Sequence, residues 1–318
     1  MRKSLVTFLM GLGLVVGHNT VTVAAAPQVW FSPGDDLEVG GVVGHPDYSK
    51  LFEEPSLWPT GLAHVNVLQM RAPYIARKPA EAARIFNFAK AHHILLAAVM
   101  QVMPSDTCGQ GMEGIMSHKG IDFYPRAIKK AEVQLDYVLM DEPLYFGHDY
   151  SEKSSACRLP IKAVAEGVAE SAKTIRSYHP NVKFVLSEPE QGLPGGPQEL
   201  AEFLDIYKSV LNEYPVAVRF DVQWRKDWRK DLPPFISMLH ARNIGYGVIF
   251  NATGAPKDDR LWIESAKDNV QAWRSAIHIQ PDHVMIQTWN PNPVRNVPES
   301  DPSTMTGYLK WYVQQNGG

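Results

Sequence analysis

From residue 28 to its end, the chain alternates short apolar runs with segments of helical periodicity. The apolar runs are Gln28–Ser32, Val65–Met70, Ile94–Met100, Tyr137–Met140, Lys183–Leu186, Ala217–Phe220, Gly245–Phe250 and His283–Thr288. Each is short enough for a strand and too short for a helix, and several have no polar interruption, as a strand buried on both faces requires. Helical segments are predicted over Tyr48–Leu57, Pro79–Ala91, Pro125–Glu132, Ile161–Tyr178, Glu199–Tyr214, Leu232–Ala241, Arg260–Ile277 and Thr304–Gln315. In Glu199–Tyr214, for example, Leu200, Phe203, Leu204, Tyr207 and Leu211 fall on one face. A strand followed by a helix, eight times over, predicts a single (β/α)8 barrel of the TIM type across residues 26–318. A doubly wound open sheet is the competing arrangement, but no glycine-rich phosphate loop follows any of the runs.

The first residues have a different character. Arg2 and Lys3 precede a mostly apolar Leu5–Val16, and Val23-Ala24-Ala25-Ala26 offers small residues to a signal peptidase. Residues 1–25 are therefore expected to be a secretory signal peptide, too short and too poorly flanked for a stable membrane anchor. The chain is expected to be secreted or periplasmic. Oxidising export bears on the only two cysteines, Cys108 and Cys157. They follow the third and fourth strands, so a disulfide between neighbouring loops is expected, with two free thiols as the alternative. The 318-residue chain has a formal net charge of -3, with no basic patch or tail, which argues against a nucleic-acid partner.

In a barrel of this kind the site lies where the strands end. The fourth run ends abruptly in Asp141-Glu142-Pro143, followed by Tyr145, Phe146 and His148. Asp35 follows strand one, Glu188 strand five, Asp221 and Trp224 strand six, and Asn251 strand seven. Gln287, Trp289 and Asn290 come from strand eight. Carboxylates and amides hydrogen-bond hydroxyl groups, and aromatic faces pack on the apolar faces of sugar rings. An oligo- or polysaccharide fits this inventory better than a phosphorylated ligand, which wants a cluster of arginines or a helix N-terminus. Plainer roles compete: Asp35 and Asp141-Glu142 as turn residues, Glu188 and Asp221 as rim ion pairs, Trp224 and Trp289 as core.

Asp141-Glu142-Pro143 resembles the Asn-Glu-Pro at the end of strand four in retaining barrel glycosidases, where the Glu is the acid/base. The resemblance implies that Glu142 donates the proton to the leaving oxygen. Two departures stand out. The first position is Asp, and strand seven, which carries the nucleophilic Glu in those enzymes, here ends in Phe250-Asn251-Ala252-Thr253-Gly254. The second carboxylate must come from elsewhere, with Asp221 the first choice and Glu188 the second. Asp141 is expected to tune Glu142, since a neighbouring negative charge raises a carboxyl pKa. Tyr145, Trp224 and Trp289 are expected to wall the cleft.

Three functions compete. One is a secreted glycoside hydrolase. Another is a non-catalytic carbohydrate-binding barrel that kept the cleft and lost the chemistry, which the missing strand-seven acid favours. The weakest is a metal-dependent hydrolase, since strand one carries no His-x-His pair. No cofactor and no catalytic metal is implied.

Overall fold

The computed structural model describes residues 26–38 and 44–316; the expected signal peptide lies outside them. Eight parallel strands close into a barrel: β1 (Gln28–Ser32), β2 (Val67–Arg71), β3 (Leu95–Met100), β4 (Tyr137–Asp141), β5 (Lys183–Glu188), β6 (Ala217–Phe220), β7 (Gly245–Phe250) and β8 (His283–Gln287). Each pairs with its sequence neighbours, and β8 closes on β1 from Gln28 opposite His283 to Ser32 opposite Gln287. Among the described residues no helix is long and apolar enough to cross a membrane.

Successive strand residues face opposite sides of the sheet. One side fills the barrel with Trp30, Val67, Ala97, Tyr137, Leu139, Val185, Ala217, Ile249 and Met285. The other side joins the larger core beneath the helices, for example Phe31, Leu68, Val138, Leu186 and Phe220. The barrel core is not wholly apolar. Arg219 is fully buried, its guanidinium carbon 4.9 Å from the Trp30 ring centre and Nη2 donating to Gln69 Oε1 at 2.9 Å.

Five helical features differ from the sequence expectation, and four of them contain proline. The helix expected from Pro125 starts at His118, because Ser117 caps it by accepting the Gly120 N–H, and Pro125 sits inside. The helix expected from Leu232 starts at Trp228 and carries Pro233 and Pro234 within it. The segment expected over Tyr48–Leu57 divides into Lys50–Glu53, a short tight turn at Pro55–Leu57, and Pro59–Leu62. Two short elements were not expected: the helix Ala72–Arg77 and the wide turn Tyr145–Asp149.

The loop after β3 folds back on itself, with Met103–Pro104 paired to Ile115–Met116. Cys108 in that loop is disulfide-bonded to Cys157 in the loop after β4, with Cα atoms 5.0 Å apart. The bond ties the two loops that carry Glu113 and Glu142.

Candidate active site

At the C-terminal ends of the strands the inward-facing positions open into a cleft of about 600 Å³. Ser32, Gln69, Arg71, Gln101, Asp141, Ser187, Asp221 and Gln287 line it, each in phase with the barrel-filling residues below. Loops add Asp35, Tyr48, Glu113, Glu142 and Trp289, and the helix His118–Lys130 adds Tyr124. Trp289 stands at the mouth and is 54% exposed. An exposed tryptophan on a cleft rim is placed to pack on a ligand rather than on the core.

Four carboxyls share this space: Glu113, Asp141, Glu142 and Asp221. Asp141 is the last residue of β4 and hydrogen-bonds Glu113 from the neighbouring loop. Burial, then the charges of Glu113 and Asp221, hold the Asp141 carboxyl well above the usual carboxylate range. Glu113 is also raised, by burial and by Asp221, although its carboxyl is open to the cleft. Two carboxyls in hydrogen-bond contact hold one proton between them more readily than two charges.

Glu142 would face away from the cleft if β4 simply continued its alternation. Its backbone leaves the strand with φ 45°, a left-handed conformation that non-glycine residues rarely adopt, and Glu142 lines the cleft. Burial raises its carboxyl well above the ordinary value, followed by the charges of Asp221, Glu113 and Asp141. Asp221 has a different setting. Burial raises it too, but the Asn251 amide, donating from Nδ2 at 3.1 Å, and the Arg219 guanidinium hold it to about 6. The cleft thus holds one carboxyl set to keep its proton and one set to lose it.

Several residues expected at the site lie elsewhere. Glu188 is fully buried and does not line the cleft. Val185 and Ser187 face inward, so Glu188 faces the helices, where its two oxygens accept the N–H groups of Leu144 at 2.8 Å and Tyr145 at 3.1 Å. It anchors the turn that follows Glu142. Trp224 is not a wall of the cleft: it is buried against Phe250 and donates through Nε1 to Asn251 Oδ1 at 2.9 Å. Asn251 passes this contact to Asp221, so Trp224, Asn251 and Asp221 form a chain that fixes the carboxylate. Tyr145 packs with Phe146 and Tyr150 away from the cleft, and Asn290 is buried in the turn around Thr288. Asp35 and Gln287 do line the cleft, Asp35 in a two-pronged pair with Arg71 whose Nε donates at 2.7 Å.

No local pattern marks Glu113, which sits in a long irregular loop between Gly111 and Gly114. Both glycines adopt positive φ, and a Cβ at Gly114 would lie 2.7 Å from the Glu142 carbonyl oxygen. Gly114 therefore lets this loop lie directly against Asp141 and Glu142. The pairing of Arg71, the last residue of β2, with Asp35 joins neighbouring strand ends and leaves no local pattern in the chain.

No known family profile matches the chain, and no curated protein matches it in sequence. Among solved structures it is similar to a psychrophilic glycoside hydrolase family 10 endo-β-1,4-xylanase, at 11% identity and a TM-score of 0.51, over 90% of this chain and 96% of that one. A D-psicose 3-epimerase from Clostridium cellulolyticum H10 is similar at 12% identity and a TM-score of 0.48, over 92% of this chain and 98% of that one. The family 53 catalytic domain of Ignisphaera aggregans is similar at 11% identity and 0.46, over 72% and 74%. At 11% identity the likeness to the xylanase is one of fold, and it assigns no residue: the chain is a closed eight-stranded (β/α)8 barrel.

Proposed function

We propose that the chain hydrolyses glycosidic bonds of an oligo- or polysaccharide bound in the rim cleft, with Glu142 as proton donor and Asp221 as its partner carboxylate. The observation that carries this reading is the contrast between the two groups. Glu142 is buried and surrounded by the acids Asp221, Glu113 and Asp141, whereas Asp221 is held near 6 by Asn251 and Arg219. Glycoside cleavage needs that division: an acid still protonated at working pH, and a carboxylate already ionised to attack the sugar or to activate water. The Asp141–Glu113 pair, sharing a proton, adds negative charge beside Glu142 and keeps its proton on. Trp289 and Tyr124 supply aromatic surface for sugar rings, and Gln69, Gln101, Gln287 and Ser187 supply hydroxyl partners. Export belongs to the same reading; N-terminal sequencing of secreted protein should find cleavage near Ala25.

Reducing-end release from a broad glycan panel, by the parent and by Glu142→Gln, tests the reading. The parent should cleave at least one glycan, and Glu142→Gln should lose about 100-fold or more in turnover with its melting temperature intact. A Glu142→Gln variant as active as the parent removes Glu142 as the acid. Asn251 at the end of β7, holding Asp221 where a second acid could stand, favours the binding-only alternative. A parent that binds glycans and cleaves none selects it.

A further inference from the structure

Outside the cleft, the turn after Glu142 brings His148 and Asp149 against Glu199, in the first turns of the helix Gly196–Leu211. One ligand-capable atom from each lies within 4.8 Å of the other two. The arrangement leaves acceptors facing each other. Glu199 is 7% exposed; its Oε2 takes the Gly195 N–H at 2.7 Å, and its buried Oε1 has no hydrogen-bond partner. The Asp149 side chain is 9% exposed, and its buried Oδ2 likewise has none. The imidazole completes the set. His148 Nδ1 contacts the Leu159 carbonyl oxygen at 2.5 Å. A carbonyl can only accept, so Nδ1 carries the proton and a neutral ring presents the lone pair of Nε2, 3.9 Å from Asp149 Oδ1. A backbone carbonyl that fixes the far nitrogen is how metal-ligating histidines are oriented.

We propose that His148 Nε2, Asp149 and Glu199 bind a divalent transition-metal ion, of which zinc is the test case. One imidazole and two carboxylates form a donor set suited to zinc rather than to calcium or magnesium, which prefer all-oxygen shells. Ligands about 2.1 Å from such an ion stand roughly 3.4 Å apart, so separations of up to 4.8 Å must shorten by as much as about 1.4 Å when the ion binds. The ion converts two facing acceptors into ligands; in its absence a proton shared between Asp149 and Glu199 is what holds the two carboxyls together. It also has a mechanical consequence. Glu188 anchors the start of the turn through the Leu144 and Tyr145 N–H groups, and the ion would anchor its end to the next helix. The segment after Glu142 would then be clipped at both ends to the β5 unit. The ion takes no part in chemistry at the cleft, and the site stands whether or not the cleft cleaves glycans.

The test uses full-length protein without a polyhistidine tag, stripped with a chelator and titrated with zinc alone. Calorimetry should give one equivalent per chain, and melting should rise by about 5 °C at 100-fold excess over the dissociation constant. His148→Ala should weaken binding at least tenfold while melting like the zinc-free parent, since His148 is partly exposed. Glu199→Gln should weaken it likewise. His92→Ala, a histidine far from the turn, should bind as the parent does. Absence of stoichiometric binding, or equal binding by His148→Ala, overturns the site. So does a zinc-indifferent parent that Glu199→Gln stabilises, because the two acids then simply share a proton.

Discussion

Asp221→Asn should make the protein more stable and less active at once. Burial raises the Asp221 carboxyl from its ordinary 3.8 to about 6 even though Asn251 and Arg219 oppose the rise. The folded state therefore holds this proton more tightly than the unfolded chain does. Its contribution is fully favourable below pH 3.8 and is lost as pH rises through about 6. At ~1.4 kcal/mol per pH unit, ionising Asp221 in place costs about 3 kcal/mol of folding stability above pH 6. An asparagine has the same shape, no charge to desolvate, and a carbonyl that still accepts from Asn251 Nδ2. Denaturant unfolding of parent and variant from pH 3.5 to 8 measures the difference. The two should be equally stable near pH 3.5, and the variant should lead by about 3 kcal/mol at pH 7. A variant that is less stable than the parent at pH 7, or a gap that does not open between pH 4 and 6, refutes the electrostatic account of the cleft. Glycan turnover by the variant should fall at least about 100-fold.

Other expectations follow from single contacts. Glu188→Ala leaves the Leu144 and Tyr145 N–H groups buried without acceptors and should cost about 3 kcal/mol in chemical denaturation; unchanged stability would show that the turn does not need this anchor. Replacing both Cys108 and Cys157 by Ser opens a loop of 49 residues and should cost up to about 4 kcal/mol, read from the denaturation midpoint. Trp289→Ala should raise KM about fivefold with little change in kcat, because an exposed rim tryptophan contributes binding surface and no proton; a kcat effect alone would contradict this.

The barrel was legible because apolar runs such as Tyr137–Met140 and Gly245–Phe250 are buried on both faces, so hydrophobicity marks them directly. Helix starts were less legible. Pro125, Pro233 and Pro234 look like openings but sit within helices whose capping and packing outweigh the lost hydrogen bonds. At the cleft, Asp141, Glu142 and Asp221 stood out as acids directly after buried strands. Glu188 shared that feature, and only its phase separates it from them: it lies one residue beyond inward-facing Ser187. Glu142 breaks the same alternation through its left-handed backbone, which no residue type announces when it is not glycine. Glu113 reaches the cluster by the folding of a loop held by the disulfide and allowed by Gly114, a long-range arrangement with no local pattern in the chain.

The pH dependence of kcat/KM on a cleaved glycan tests the division of labour in the cleft most directly. The account predicts a bell-shaped profile. Its acidic limb should have an apparent pKa near 6, where Asp221 ionises, and its alkaline limb should lie well above the ordinary glutamate range, where Glu142 loses its proton. In Glu142→Gln the alkaline limb should disappear from whatever activity remains. An acidic limb at or below the ordinary carboxylate value, or an alkaline limb that persists unchanged in Glu142→Gln, would contradict the assignment of base to Asp221 and of acid to Glu142.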